Sequence, residues 1–67
     1  MIRLRVNGAA VEIPSVGTIA DVLAALGYRE TFLAVARNRE HVPRSTFGQT
    51  FVHDGDEIEV VAPMAGG

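Results

Sequence analysis

Residues 2–13 carry the pattern that most restricts how this chain can fold. In the segment IRLRV, residues 2–6, apolar side chains alternate with arginines, which is the two-residue period of a strand with one buried face. Asn7-Gly8 follows at once, and this dipeptide is the preferred pair for a two-residue type I′ turn. The alternation resumes in VEI, residues 11–13. The sequence therefore predicts a β-hairpin whose apolar face needs a covering layer.

A short amphipathic helix in the segment TIADVLAALG can supply that layer. Its apolar residues recur at i, i+3, i+4 and i+7 and form one stripe: Ile19, Val22, Leu23 and Leu26. Thr18 and Asp21 have the spacing of a capping box, and Gly27 stands where a left-handed C-cap is needed. We expect the stripe to pack on the apolar face of the hairpin.

The second half of the chain predicts two or three further strands. FLAVAR, residues 32–37, is short enough for a strand with both faces partly covered, and NRE follows as a turn. HV is at most a short edge strand, because Pro43 has no amide to donate. RSTFGQ reads as an irregular or single-turn connection. After the turn HDGD, EIEVVA alternates again, with Val61 on the outer face.

The predicted fold is an α+β roll, in which a mixed sheet of four to five strands packs on one main helix. If the last strand lies beside the first, Glu57 and Glu59 are available to sit next to Arg3 and Arg5 on the outer face. At 67 residues the chain has room for one domain. We expect this domain to occupy residues 1–62, followed by a flexible diglycine tail at residues 63–67.

Composition excludes several classes of function. A net charge of −2 without a cluster of basic residues makes nucleic acid an unfavourable partner. No apolar run approaches the roughly 20 residues that span a bilayer, and the cysteine count of zero rules out disulfides and thiolate metal sites. We expect a cytoplasmic protein that binds neither nucleic acid nor membrane. All six basic residues are arginines, so no lysine amine is present to attack a reactive acyl group.

The last residues, APMAGG, contribute little to a core but suit a different task. Pro63 prevents a further ladder bond at its own position, and five extended residues reach roughly 17 Å. Gly66 and Gly67 have no side chains and can pass through a channel that excludes a Cβ atom. A free α-carboxylate is ionised at neutral pH and is a poor electrophile, so a reaction at this terminus needs activation.

The second half of the chain contains the segments VARNREHVPRS, FGQT and DGDEIEVV, followed by the terminal GG. With these segments the chain resembles the ThiS family, the ubiquitin-like (β-grasp) sulfur carriers of thiamine biosynthesis, and the resemblance runs nearly end to end. VPRS followed by the DGD turn favours ThiS over the related molybdopterin carrier MoaD. Phe47 occupies a position where many members have tryptophan. The resemblance implies a ubiquitin-like β-grasp fold.

The resemblance also implies a function in which this chain is a cosubstrate and not an enzyme. A ThiF/MoeB-like adenylyltransferase uses Mg-ATP to convert the Gly67 carboxylate, presented by Gly66-Gly67, to an acyl-adenylate. Sulfur that a cysteine desulfurase supplies as a persulfide then replaces AMP, leaving a thiocarboxylate. Thiazole synthase (ThiG) accepts the sulfur. The chain itself binds no cofactor in this scheme.

Candidate partner-binding residues lie at and before the terminus. An exposed apolar patch that docks into a partner's channel is predicted for Val61, Pro63, Met64 and Ala65. An isolated surface valine is an equally ordinary explanation for Val61. For Arg44 we expect one of two roles: a contact with the activating enzyme, or an ion pair with a nearby acidic side chain.

Other chemistry-bearing residues have ordinary explanations. His41 and His53 lack the spaced partners of a metal site, and Asp54 and Asp56 suit a tight turn better than a catalytic dyad. Three alternatives stay open at this point. They are a carrier for molybdopterin or another sulfur-containing metabolite, a ubiquitin-like modifier that forms isopeptide bonds, and a β-grasp interaction domain.

Overall fold

The computed structural model describes residues 1–14, 17–28 and 33–61. Its elements, in chain order, are β1 (Ile2–Val6), β2 (Ala9–Ile13), α1 (Ile19–Ala25), β3 (Ala34–Arg37), β4 (Glu40–Val42), a 3₁₀ turn (Arg44–Thr46) and β5 (Glu57–Val61). The strands form one five-stranded sheet in the order β2-β1-β5-β3-β4. β1 and β5 are parallel, and the other neighbours are antiparallel. The predicted mixed sheet, with the last strand beside the first, is confirmed.

The N-terminal hairpin has the predicted turn. Asn7 and Gly8 both have positive φ, 50° and 85°, as a type I′ turn requires. The register pairs Arg3 with Glu12, and the Arg3 Nε and Glu12 Oε2 atoms are 3.3 Å apart. The two glutamates of β5 were expected beside Arg3 and Arg5, and this holds only for Arg5, which the parallel register aligns with Glu57.

The difference arises at the start of the last strand. The backbone N–H of Arg3 donates to Asp54 Oδ1 in the turn before β5, so the paired residues of the parallel ladder begin at Arg5. The second glutamate, Glu59, lies opposite Ala36 on the other side of β5.

The core lies between α1 and the inner face of the sheet. Its described buried apolar residues are Ile2, Leu4, Val6, Ile13, Ile19, Val22, Leu23, Leu33, Val35, Val42, Val52, Ile58 and Val60. Three of the four residues of the predicted helix stripe are buried in this core. The fourth, Leu26 at the C-cap, is partly buried. Phe47 also packs against this core as a partly buried side chain. The alternation therefore identified the buried face of β1 and of β5.

Both ends of α1 are capped as the sequence predicts. The Thr18 backbone N–H donates to Asp21 Oδ2 at 2.9 Å, and the Asp21 N–H donates to Thr18 Oγ1 at 3.3 Å. At the other end Gly27 has φ of 84°, and the Tyr28 N–H donates to the Leu23 carbonyl at 3.0 Å. This six-to-one bond across a left-handed glycine is a Schellman motif.

The shorter segments also follow the sequence. β4 is an edge strand of three residues that stops before Pro43, and the next segment is a single 3₁₀ turn. None of the helices within the described ranges has the length and apolar character needed to cross a bilayer. Ala62 and the boundary expected between residues 62 and 63 lie outside the described residues.

Replacing Gly27 by alanine tests the helix terminus. A Cβ built there meets nothing within 4 Å, so the cost is that of holding an L-residue at φ of 84°. We expect the free energy of unfolding to fall by about 1 kcal/mol in Gly27→Ala. The matched control is Gly48→Ala, where a Cβ also has open space and φ lies outside the left-handed range. Urea denaturation in which the two variants lose equal stability contradicts the assignment of this cap.

Candidate functional site

A small apolar patch lies on the outer face of the sheet at the end of β5. Val61 is 64% exposed there, and the register places Ala34 directly opposite it on β3. Ala36 and its β4 partner His41 continue the same face. These four residues, which we call the Val61 patch, line one shallow groove together with Glu59. Val61 is therefore part of a contiguous surface and not an isolated exposed valine.

Arg44 borders the same surface from the other side. It lies on the exposed 3₁₀ turn and lines a second depression with Leu33, Ala34 and His41. The two depressions share Ala34 and His41, so the fold brings Val61 and Arg44, which are far apart in sequence, to one region. Sequence reasoning missed the patch residues of β3 and β4, although the register of β3 against β5 identifies Ala34 and Ala36, and that of β3 against β4 identifies His41, once these strands are paired.

The charges around the patch have opposite signs on its two sides. Glu59 lines the groove on the β5 side, and the Arg44 guanidinium lies on the side of the 3₁₀ turn. An apolar centre with charged edges is the usual composition of a protein-binding surface. In the described parts of the chain, no group of three or more histidine, aspartate or glutamate side chains is arranged to hold a metal ion.

A buried carboxylate fixes the start of β5. Asp56 is 7% exposed and accepts hydrogen bonds from the His53 backbone N–H at 2.7 Å, from Arg37 Nε at 3.0 Å and from Asn38 Nδ2 at 3.1 Å. The sequence identified Asp56 as a turn former only. Its further role depends on Arg37 and Asn38, which lie 19 and 18 residues away.

The pKa of Asp56 reflects this environment. Burial by itself raises the pKa of the carboxyl group, but the hydrogen bonds from His53, Asn38 and Arg37 and the Arg37 charge more than offset it. The pKa of Asp56 therefore lies below its ordinary value of 3.8. Asp54, in the same turn, is exposed and accepts from the Arg3 backbone N–H at 2.8 Å. The two aspartates thus serve the turn and its neighbours, and do not form a pair facing each other.

Two asparagines in turns hold the backbone of β5 through their side chains. Asn38 Oδ1 accepts from the Glu57 N–H at 2.9 Å at the start of the strand. Asn7 Oδ1 accepts from the Val60 N–H at 2.8 Å near its end, and Asn7 Nδ2 donates to the Val60 carbonyl at 3.1 Å. Sequence reasoning assigned both asparagines to turns and missed these bonds, which have no local sequence signal.

The remaining predicted site residues follow directly after β5. Pro63, Met64, Ala65, Gly66 and Gly67 lie outside the described residues. β5 ends at Val61, within the Val61 patch, and Gly67 follows six positions later in the sequence.

A mixed sheet in the order β2-β1-β5-β3-β4 with one covering helix defines a ubiquitin-like β-grasp protein. The model of the ThiS family matches residues 4–67. The chain belongs to the ThiS family.

Two solved structures are similar to nearly all of this chain. A crystal structure of the thiamine biosynthesis protein ThiS from Geobacter metallireducens matches with a TM-score of 0.83 and 30% identity, covering 98% of this chain and all of that one. An NMR structure of a thiamine biosynthesis protein from the same organism gives the same TM-score at 32% identity, covering 98% of this chain and 88% of that one. The predicted ubiquitin-like fold is confirmed.

Among curated proteins, the chain is 34% identical over 61 residues to the sulfur carrier protein ThiS of Escherichia coli, covering 91% of this chain and 92% of that protein. It is also 38% identical over 65 residues to a thiazole synthase of Paramagnetospirillum magneticum. A thiazole synthase of Magnetococcus marinus is 32% identical over 65 residues. Both matches include 97% of this chain. The chain nevertheless spans only 20% of the length of each synthase.

The Asp56 network predicts a defined pH dependence. Because its folded pKa is depressed, Asp56 contributes stability that is present above its ordinary pKa of 3.8 and is lost as the pH falls below that value, through the folded pKa. We expect Asp56→Asn to lower the free energy of unfolding by about 1–3 kcal/mol at neutral pH, since the amide turns an N–H₂ group toward donors. The difference in unfolding free energy between Asp56→Asn and the wild type should shrink below pH 3.8.

Asp54→Asn is the matched control in this turn, because an amide oxygen still accepts the single bond from the Arg3 N–H. Its effect on chemical denaturation should be under about 1 kcal/mol at any pH. A gap between Asp56→Asn and the wild type that stays constant down to acid pH contradicts the ionised, bonded carboxylate.

Proposed function

We propose that this chain is a sulfur carrier for thiamine biosynthesis and that its reactive group is the carboxylate of Gly67. One observation carries the proposal: the match to the ThiS family extends to residue 67 and so includes Gly66-Gly67. The similarity to the Escherichia coli sulfur carrier over 91% of this chain supports it. The chain is then a cosubstrate that other enzymes act upon, and not an enzyme.

The proposed chemistry starts with adenylation. A carboxylate oxygen of Gly67 attacks the α-phosphorus of Mg-ATP held by a ThiF/MoeB-like adenylyltransferase, and pyrophosphate leaves. The terminal sulfur of a persulfide, supplied through a cysteine desulfurase, then attacks the acyl carbon, and AMP leaves. A thiol cleaves the resulting acyl disulfide between its two sulfur atoms, which forms a new disulfide and leaves the thiocarboxylate on Gly67. Mg-ATP and the persulfide are substrates of the partners.

Thiazole synthase is the proposed acceptor of the sulfur. Two relatives that bear this name include a segment similar to 97% of this chain. Two activities in a single polypeptide commonly act on each other, and the similarity therefore favours thiazole formation over molybdopterin synthesis. The thiocarboxylate sulfur adds to a C=O or C=N carbon of the thiazole precursor, and the π electrons move to the heteroatom, which takes up a proton. Hydrolysis of the resulting thioester breaks the acyl carbon–sulfur bond, leaves the sulfur on the precursor as a thiol and restores the Gly67 carboxylate.

The folded part of the chain is proposed to provide the surface that both partners bind. The Val61 patch is proposed to act together with Pro63, Met64 and Ala65 as an apolar docking area, and these residues directly precede Gly66-Gly67 in the sequence. Arg44 is proposed to contact an acidic group of the adenylyltransferase at the edge of this area. The glycines at positions 66 and 67 allow the last residues to enter a narrow active-site channel.

Intact mass spectrometry tests the carrier chemistry. After incubation with the adenylyltransferase, Mg-ATP and a persulfide source, the chain should gain the mass difference between one sulfur and one oxygen. Deleting Gly67, or replacing Gly66 by leucine, should abolish the gain and leave the melting temperature nearly unchanged, since the described core is built from residues 2–60. Gly48→Leu, at an exposed glycine with open space around it, is the control that keeps full conversion.

The other functions give different products in the same experiment. Covalent conjugates of higher mass indicate a modifier, and an unchanged mass in all variants indicates an interaction domain. Either result overturns the proposal. Full conversion with no sulfur transfer to thiazole synthase indicates a different acceptor.

A charge placed in the Val61 patch tests the docking surface. We expect Val61→Glu to weaken binding to the adenylyltransferase and to thiazole synthase by about tenfold or more, because a carboxylate must then be desolvated in an apolar contact. Ala10→Glu is the matched control, since Ala10 is also exposed and lies on the far strand, opposite Arg5. Titration calorimetry in which both variants bind like the wild type places the docking surface elsewhere.

A further inference from the structure

The side chain of Asn7 extends the parallel ladder between β1 and β5 by one step. The paired backbone residues of this ladder are Arg5 with Glu57 and Val6 with Ile58, and the Asn7 N–H still donates to the Ile58 carbonyl at 2.9 Å. With φ of 50° the main chain then turns away into the hairpin. Beyond this point the Asn7 side-chain amide replaces the backbone of β1 as the partner of β5: its oxygen accepts from the Val60 N–H, and its nitrogen donates to the Val60 carbonyl.

These two bonds hold the last part of β5 on the β1 side. Val60 is 6% exposed, so its N–H and carbonyl have little access to water as an alternative partner. On the other side, β3 pairs with the strand through Val35 opposite Val60 and Ala34 opposite Val61. The end of β5 is therefore held by a strand on one side and by a single side chain on the other.

The position of this side chain relative to the terminus gives it a specific consequence. Val60 immediately precedes Val61, the last residue of β5, and Gly67 follows Val61 by six positions in the sequence. The backbone of Val60 and Val61 is therefore the described point to which the C-terminal residues are attached. Whatever fixes Val60 also fixes the origin of the segment that carries the reacting carboxylate.

We propose that Asn7 is a positioning residue for the reaction at Gly67. Through its two bonds to Val60 it orders the end of β5, to which the C-terminal segment is attached, before any partner binds. The partner then does not have to order the end of β5 itself, and the binding energy available for the rest of the segment is larger. This inference rests on the proposed function.

Asn38 provides an unusually close control. It has φ of 51°, and its side chain also makes two bonds, accepting from the Glu57 N–H at 2.9 Å and donating to Asp56 Oδ1 at 3.1 Å. It holds the opposite end of the same strand. Glycine suits the positive φ of both positions, so Asn7→Gly and Asn38→Gly each remove an amide group and leave the turn geometry in place.

The first measurement is amide hydrogen exchange by NMR, at conditions where both variants are fully folded. We expect Asn7→Gly to lower the protection of the Val60 amide at least tenfold while the Glu57 amide keeps its protection. Asn38→Gly should show the reverse. Equal loss at both amides in both variants means that the strand opens as one unit, and the positioning role is then wrong.

The second measurement is steady-state adenylation, followed as pyrophosphate release, with the carrier as the varied substrate. Asn7→Gly should raise KM about tenfold with kcat changed less than about twofold, because ordering is needed for binding and not for the chemical step. Asn38→Gly should keep both constants near those of the wild type. Identical constants for the two variants overturn the proposal even if exchange at Val60 is faster.

Asn7→Asp separates the two bonds. The carboxylate still accepts from the Val60 N–H but has no donor for the Val60 carbonyl. We expect a KM between that of the wild type and that of Asn7→Gly, or equal to the latter. Wild-type constants for Asn7→Asp contradict a role for the donated bond. If the wild-type chain itself is not adenylated, the proposed function fails, and the exchange data then report only how β5 is held.

Discussion

The placement of β5 between β1 and β3 is the constraint on which the rest of this structure depends. The strand joins the N-terminal hairpin to the second half of the sheet, and its inward residues Ile58 and Val60 are buried in the core. Its start is fixed by the Asp56 carboxylate and its end by the Asn7 amide. Because the last described residue, Val61, is exposed, the well-anchored strand ends at a defined place on the surface.

This arrangement separates stability from chemistry along the chain. The described core comes from residues 2–60, whereas the proposed reacting group is on Gly67. Under the proposed function such a division is useful, since the terminus has to enter the active sites of two enzymes while the body presents one surface. The composition agrees with this use. The chain has no lysine, and its own side chains therefore offer no amine to an activated carboxyl group.

Local patterns made most of the fold predictable. The Asn7-Gly8 turn, the Thr18 and Asp21 capping box and the alternation in β1 and β5 all have their causes within a few residues, and each was confirmed. The missed features join distant residues. The Asn7 side chain bonds to a residue 53 positions away. Arg3 has no glutamate of β5 beside it because the β1 and β5 ladder begins only at Arg5. Composition and periodicity carry no information on such contacts.

The central claim is that sulfur is carried on the carboxyl carbon of Gly67, and carbon-13 NMR tests it most directly. The chain is labelled at its glycine carbonyl carbons and incubated with the adenylyltransferase, Mg-ATP and a persulfide source. The account predicts that the terminal carboxylate resonance alone moves to the position of a thiocarboxylate, and that it returns after transfer to thiazole synthase. A terminal carboxylate resonance that stays unchanged in a chain that has nonetheless gained sulfur contradicts the account.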